Sequence, residues 1–388
     1  VRVRFAISVQ LRLNNRLSTS LLLWIELSII HWYQEGSYEL RTIAGGLMAD
    51  AALYDRVAGE LRQTPAIDST GNLDTRALVQ YGILAASSHN TQPWTFAVGK
   101  SSITVCPDFG RRCPVVDPDD AHLFKSLGCA VENIVLAAEA GGYASEVSVD
   151  TDKDQIRIDF KKSSSAGPTS LFAAIPNRQC TKTRYDESAL KTEEQRRLEG
   201  AVTDKGVRAI LLTSARQLDT VAQYVSEGNK AQLSDRAFRK ELISWIRFNP
   251  RDAIKTRDGL TNRTSGRPAI PGWLAPLVIG FVLTPKGQAK TDSELIKSSS
   301  AVAVFAAGND DKQSWIRIGR AYERFALQGT DLDIRHAFIN QPLEVRGLRP
   351  RFESWLGLNG ERAHLMVRLG RAATVPFSLR RPVDHVIR

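Results

Sequence analysis

Three short segments carry the residue types from which a ligand site could be built. The first, Ala86-Ser87-Ser88-His89-Asn90-Thr91-Gln92-Pro93-Trp94, packs hydroxyls, an imidazole and two amides into nine residues. Ser87, Ser88, His89, Asn90 and Gln92 read as a ligand-facing turn. On spacing alone an alternative stands beside this: Ser88, Asn90 and Gln92 satisfy backbone groups of the turn, while Pro93 and Trp94 close and cover it. The second segment, Arg178-Gln179-Cys180-Thr181-Lys182-Thr183-Arg184, offers three cations and two hydroxyls within seven residues. Arginine binds phosphate oxygens in a planar, bidentate way and lysine adds a point charge, so the run can cradle a phosphate. It can also be a solvated basic loop capped by Asp186. The third is Phe377-Ser378-Leu379-Arg380-Arg381-Pro382-Val383, which is either a second basic contribution to such a site or a frayed tail.

The elements that must position these residues follow from periodicity. Helical spacing covers about 50–63 and Thr75 to Ala86, with Leu78, Tyr81, Leu84 and Ala85 on one face. Short strands over Thr95 to Val98 and Ser102 to Val105 form a hairpin through Gly99-Lys100, so the first polar cluster lies between a helix end and a strand start. A long helix over 119–140, strands at 145–149 and 155–160, and a serine-rich linker over 161–168 come next. The rest reads as helices at 169–174 and 192–203, a strand at 207–213 and a helical stretch over 215–248. A Gly/Pro/Arg-rich loop over 249–272, a strand at 301–306, a helix at 312–328 and a last strand at 363–369 complete it. Gly128-Cys-Ala130-Val-Glu132-Asn-Ile-Val-Leu136 recurs 191 residues later as Gly319-Arg-Ala321-Tyr-Glu323-Arg-Phe-Ala-Leu327, a weak internal repeat.

Composition excludes several classes. With 388 residues, 43% hydrophobic and 24% charged, the chain is an ordinary globular protein of one large or two modest domains. The formal net charge is +10, and residues 335–388 contribute ten Arg against four acidic residues. This favours an anionic partner. The arginines are dispersed among apolar residues without an RNA-binding aromatic signature, so a phosphate on a small cofactor suits them better than nucleic acid. Cys106, Cys113, Cys129 and Cys180 form no Cys-x-x-Cys pair, and neither a disulfide framework nor a metal site is expected. Cys129 is expected to be a packed thiol. The apolar run Leu21 to Ile30, interrupted by Glu26, is too short to span a bilayer, and no cleavage site follows it. Residues 1–47 are therefore read as a leader or over-extended N-terminus outside the fold, and a cytoplasmic location without a membrane span is expected. No Gly-x-Gly-x-x-Gly turn marks a Rossmann dinucleotide site.

Ser87 to Trp94 resembles the Ser-x-x-Asn-x-Gln-Pro-Trp segment of the nitroreductase-like FMN-binding oxidoreductases, and among these is most similar to the Acg-type branch. Arg178-Gln179-Cys180-Thr181-Lys182 resembles the Arg-x-Ser-x-Lys segment of that superfamily, and Arg380-Arg381-Pro382 its Arg-Arg-Pro ending. The likeness covers roughly residues 75–388. It implies an α+β, three-layer nitroreductase-like fold of two fused halves, 48–165 and 166–388, forming an intramolecular pseudo-dimer that acts as a monomer. It further implies one FMN per chain. Arg178, Arg380 and Arg381 would meet the phosphate, Lys182 the flavin pyrimidine, and Ser87, Ser88, His89, Asn90 and Gln92 would form a wall from the other half. Cys180 departs from the usual Ser or Thr; a thiol is a weaker donor, and Thr181 could take over the contact. Arg368 is either structural or cofactor-facing. The implied activity is a ping-pong transfer of hydride from NAD(P)H through FMN to a nitroaromatic or quinone-like acceptor. No catalytic side chain is required, and His89 is read as an orienting group rather than a base. The alternative is an FMN-sequestering protein with a lid at 249–273 and little turnover.

Overall fold

The structure, a computed structural model, describes residues 37–67, 72–266 and 283–388. The leader reading of 1–47 thus falls mostly outside the described residues, as does the part of the expected lid beyond residue 266. Two compact units divide at Leu53 and Tyr54. The helix Ser37–Glu60 (α1) runs through that boundary, and everything below concerns the second unit.

Helix Thr75–Gly82 (α2) begins where the Asp74 carboxylate accepts the amides of Arg76 and Ala77. Strands Trp94–Val98 (β1) and Ser102–Pro107 (β2) form the expected hairpin. Helix Ala121–Ala140 (α3) leads to Tyr143–Asp150 (β3) and Gln155–Lys162 (β4), and the four strands make an antiparallel sheet in the order β1-β2-β4-β3. One face of this sheet packs on α3 through Trp94, Phe96, Ile103, Val105, Ile156 and Ile158, while β3 alternates between half-buried and exposed residues, as a one-sided sheet does. Because β4 continues to Lys162, the linker is shorter than the serine-rich run suggests.

After Ser170–Ala174 (α4) and Thr192–Gly200 (α5), strand Val207–Leu212 (β5) opens the second sheet. The single helical stretch expected over 215–248 is two helices, Ala215–Ser234 (α6) and Arg236–Ser244 (α7). Asp235 ends the first and its carboxylate caps the second by accepting the amide of Ala237. Short strands Ile246–Arg247 (β6) and Leu260–Thr261 (β7) pair in parallel around Pro250–Thr256 (α8), so the expected loop over 249–272 is structured in its described part. Helix Pro285–Lys297 (α9) precedes strand Ala301–Ala307 (β8), and helix Lys312–Asp331 (α10) precedes Arg335–Phe338 (β9). Gln341–Glu344 (α11), Arg349–Trp355 (α12) and Arg362–Gly370 (β10) follow. The second sheet is antiparallel, in the order β5-β8-β10-β9.

The run Ala-Val-Ala-Val-Phe-Ala-Ala of β8 has no polar face because both faces are covered. Ala301, Ala303 and Phe305 belong to the core shared with α3 and α10, and Val302, Val304 and Ala306 to a second core with α6, α9 and α12. The resulting helix, sheet and helix layers are α+β, as expected.

Where α3 meets α10, each helix presents a glycine to the backbone of the other. A Cβ on Gly128 would lie 2.2 Å from the Ile316 carbonyl oxygen, and one on Gly319 would lie 2.0 Å from that of Lys125. These glycines occupy equivalent positions of the internal repeat, and so do Lys125 and Ile316. The contact is thus reciprocal between equivalent positions of the repeat. The repeated acids Glu132 and Glu323 are 1% and 0% exposed, and each pairs with arginine: Glu132 with Arg320 and Arg324, Glu323 with Arg178.

Two returns of the chain assemble the site. Near the C-terminus, the Phe96 amide donates to the Val386 carbonyl at 2.8 Å and the Arg388 amide to the Phe96 carbonyl at 2.9 Å. This pairing brings Arg380 and Arg381 to the turn before β1. Cys180 forms a β-bridge to His336, with the Thr181 amide 2.9 Å from the His336 carbonyl, so the basic segment runs beside β9.

Candidate functional site

The turn between α2 and β1 holds three non-glycine residues in left-handed backbone: His89 at φ 47°, Asn90 at 55° and Gln92 at 53°. Asparagine tolerates this region, glutamine much less, so the turn is stable only if its neighbours over-determine it. They do. The Gln92 amide donates to Ser87 Oγ at 3.0 Å, Gln92 Nε2 donates to the Arg257 carbonyl at 2.8 Å, and Gln92 Oε1 accepts the Arg381 amide at 2.7 Å. Asn90 Nδ2 donates to the carbonyls of Gly259 and Leu379, both at 3.2 Å, while Asn90 Oδ1 accepts from Arg380 at 2.9 Å. The Ser88 amide reaches Ser126 Oγ on α3 at 3.3 Å. Contacts of Ser88, Asn90 and Gln92 therefore join the turn to α3, to the C-terminal tail and to 257–259, beyond the backbone groups of the turn itself. His89 Nδ1 lies 3.5 Å from Cys113 Sγ, and burial, followed by the charge of Lys182, brings its pKa down to about 4. It is a neutral imidazole at pH 7.

Helix α2 stops at Gly82, short of the expected Ala86, and this leaves carbonyls at its end to be satisfied. Arg178 Nη2 donates to the Leu84 carbonyl at 2.8 Å, and Arg380 Nη2 donates to those of Leu84 and Ala85 at 3.2 Å each. Two guanidiniums from distant segments thus share one carbonyl oxygen. Arg178 Nε pairs with Glu323 Oε1 at 2.9 Å, and the Ala86 amide donates to Glu323 Oε2 at 3.3 Å. Burial lifts the Glu323 pKa, and the adjacent Arg178 opposes that rise.

A third guanidinium completes the cluster. Arg62, two residues beyond the end of α1, donates through Nη1 to the carbonyls of Pro176 at 2.9 Å and Arg178 at 3.0 Å, and stacks 4.5 Å above the Phe377 ring. Sequence reading missed it, because a lone Arg near a helix end has no distinguishing spacing. It also missed the role of Glu323, although that acid marks the internal repeat. Arg62, Arg178 and Arg380 are 7%, 1% and 3% exposed; Arg178 makes the ion pair with Glu323, whose charge also acts on the other two. Three cations against one anion leave a local charge of +2 in a buried place. Burial, then the charge of Arg178, brings the Arg380 pKa down to about 9, and burial followed by its two neighbours lowers that of Arg62. Arg62 Nε, Arg62 Nη2 and Arg380 Nε are buried without a hydrogen-bond partner, as is Thr181 Oγ1. Unpaired buried donors on surplus cations are costly unless an anion completes them.

Arg381 stands outside this cluster, held by the carbonyls of Gln92 at 3.1 Å and His385 at 3.1 Å and by Asp108 at 3.4 Å. Lys182 is exposed, directly after the buried Thr181. Cys180 is half-buried, its Sγ 3.7 Å from His336 Nε2, and that nitrogen is 2.9 Å from the Tyr322 hydroxyl. Arg368 donates to the Thr183 carbonyl at 2.8 Å and lies 4.0 Å over the Tyr185 ring. Cys129 is buried on α3, as expected. Among the described residues no cluster of metal-ligating side chains occurs, and no helix is long and apolar enough to cross a membrane.

No family model matches the chain. Two proteins from separate strains of Mycobacterium tuberculosis, each provisionally named an NAD(P)H nitroreductase, are 24% identical over 326 residues, covering 80% of this chain and 90% of theirs. Among solved structures, an FMN-bound nitroreductase from Bacteroides fragilis aligns at a TM-score of 0.33 with 14% identity, covering 53% of this chain and 89% of that one. An NADPH:FMN oxidoreductase from Vibrio harveyi, complexed with NAD+, aligns at 0.35 with 10% identity, covering 57% and 76%. Over four-fifths of its length, then, this chain is similar to two proteins that provisionally carry the nitroreductase name.

Proposed function

We propose that the chain is an FMN-dependent oxidoreductase that passes electrons from NAD(P)H to a small acceptor of the nitroaromatic or quinone type. The observation that carries this is the cluster of Arg62, Arg178 and Arg380 around Glu323, with its unpaired buried donors. A phosphate monoester carries about −1.5 to −2 at neutral pH, which matches the surplus of two positive charges, and its oxygens suit guanidinium forks. FMN presents such a group, and the names of the two mycobacterial relatives support a redox role. Arg62, Arg178 and Arg380 would hold the phosphate, with Thr181 Oγ1 supplying the hydroxyl that Cys180 lacks. Lys182 would face the polar edge of the ring, beside the neutral His89, and Ser87, Ser88, Asn90 and Gln92 would fix the turn that walls it. When bound, FMN supplies the electron-transfer chemistry. The protein supplies orientation, a cation near developing negative charge, and exclusion of water. The reciprocal packing of Gly128 and Gly319 supports reading 48–165 and 166–388 as two fused halves with one flavin between them.

A second reading, flavin sequestration, is favoured by the contacts of residues 257–259. Asp258 pairs with Arg111 and, at 2.6 Å, with Arg247, and the flanking Arg257 and Gly259 carbonyls accept from Gln92 and Asn90. A cover latched in this way would hinder access to the ring. An anaerobic visible spectrum of the purified full chain, before and after NADH or NADPH, separates the readings. A flavin spectrum bleached by nicotinamide identifies the oxidoreductase, and an unbleached one favours storage. Protein that stays colourless after incubation with FMN refutes both.

A further inference from the structure

His89 has a ring nitrogen to spare. Of the three left-handed residues in the turn before β1, Asn90 and Gln92 use their amides to bind the tail and residues 257–259, whereas the His89 ring makes one contact, between Nδ1 and Cys113 Sγ at 3.5 Å. Among the described residues its Nε2 has no hydrogen-bond partner, and the ring is half-buried. A neutral imidazole carries one N–H and one lone pair, so what one nitrogen does fixes the other. The direction of the Cys113 contact therefore decides what Nε2 offers.

Cys113 is 4% exposed. Burial, then the charges of Glu241, Asp117 and Glu344, pushes its pKa up to about 12, so the sulfur keeps its proton at pH 7. The indole N–H of Trp245 acts on the same sulfur as a donor and offsets this only in part. With a donor already facing the sulfur, the S–H is left to find an acceptor, and His89 Nδ1 is the one within hydrogen-bond distance among the described residues. The opposite arrangement would aim two N–H donors at one weakly accepting sulfur and leave the S–H proton unused. Nδ1 is thus the acceptor, and the ring proton is on Nε2.

We propose that Cys113 is a positioning residue that holds His89 as the Nε2–H tautomer, and that this N–H donates to an oxygen on the polar edge of the bound FMN ring. Lys182 supports the placement. Its charge acts on His89, and it directly follows Thr181 of the phosphate site, so a fixed neutral donor and an ammonium address the same edge. Preorganised donors of this kind favour negative charge that develops where they point. The ring contact rests on the flavin reading above; the tautomer does not.

Two measurements on the full chain test this. The first needs no flavin: long-range proton–nitrogen spectra of protein labelled with 15N-histidine, in which His89→Asn identifies the His89 signals among the six histidines. At pH 7 Nδ1 should resonate as a bare ring nitrogen and Nε2 as a protonated one. Cys113→Ser, which keeps a donor in place, should preserve that pattern, and Cys113→Ala should give a mixture of tautomers. A protonated Nδ1 in the wild type overturns the proposal, as does a pattern that Cys113→Ala leaves unchanged; if Cys113→Ala does not fold, the wild-type spectrum decides. The second is the potential of bound FMN, read by anaerobic dye titration. Asparagine tolerates left-handed backbone, so His89→Asn withdraws the ring without disturbing the turn. It should cut the preference for reduced over oxidised FMN about tenfold, which for two electrons is a fall of about 30 mV. Cys113→Ala should show part of that fall and Cys113→Ser none. A potential that does not move in His89→Asn overturns the ring contact. Protein that takes up no FMN fails the flavin reading and the ring contact with it, while the nitrogen spectra still decide the pairing of Cys113 with His89.

Discussion

Arg62→Met is the sharpest probe of the guanidinium cluster, because no sequence motif marks Arg62 and the structure alone brings it there. Methionine keeps most of the side-chain stem against Phe377 and removes the charge and the donors. One charge-assisted hydrogen bond to an anion is worth about 1.5–3 kcal/mol, so FMN affinity should fall about 10- to 150-fold. The free protein should change less. The carbonyls of Pro176 and Arg178 lose their partner, at roughly 1–3 kcal/mol, while repulsion from Arg178 and Arg380 is relieved. Binding is measured by quenching of flavin fluorescence, with riboflavin as the control because it has the same ring system and no phosphate. Wild type should prefer FMN to riboflavin, and Arg62→Met should weaken FMN binding while leaving riboflavin binding unchanged. If both ligands weaken equally, Arg62 acts through packing; if neither weakens, the phosphate is not at this cluster and the reasoning fails.

Gly128→Ala and Gly319→Ala should each destabilise the protein by about 1–3 kcal/mol or more, since either methyl would be driven into a backbone carbonyl of the opposite helix. Urea midpoints that hardly move would show that the two helices can separate freely. Burial, then Arg178, brings the His336 pKa down to about 3, so the folded state stays neutral where the unfolded chain takes up a proton. Stability contributed by this group is full above about pH 6.5 and declines as the pH falls towards 3, with a loss of about 2 kcal/mol at pH 5. His336→Gln, which can still accept from Tyr322, should flatten that part of the stability profile, and an unchanged profile would exclude His336 as its source. Asp258→Asn should release Arg111 and Arg247 and speed proteolysis within 246–266, as followed by mass spectrometry of the fragments. Unchanged cleavage would mean that the Asn90 and Gln92 contacts alone hold the segment.

The local signals in this chain were those of period and capping. The hairpin of β1 and β2, the apolar run of β8 and the long helices α3 and α10 could be read from residue order, because each is specified by side chains a few positions apart. Strand β9 could not. Arg335–Phe338 is four residues without alternation, and its pairing with β10 makes it a strand. Helix α9 is mostly polar, buries Ala289 and Ile296, and is fixed by packing and by Asn229 Nδ2 donating to Asp292 at 2.8 Å. The split at Asp235 shows the same limit, since one carboxylate ends one helix and caps the next only in a particular backbone geometry.

For the site, the sequence by itself determined which segments carry charge and amides, and their resemblance to known flavin-binding segments. What those groups do depended on the chain returns that only the tertiary structure supplies. Asn90 and Gln92 meet Arg380 and the Arg381 amide because the tail pairs beside β1, and Arg178 meets Glu323 of α10 where its segment bridges to His336 of β9. Arg62 enters from more than a hundred residues away. A surplus of buried positive charge is a property of three-dimensional proximity, where Coulomb energy and desolvation depend on distance and burial. Sequence separation encodes neither.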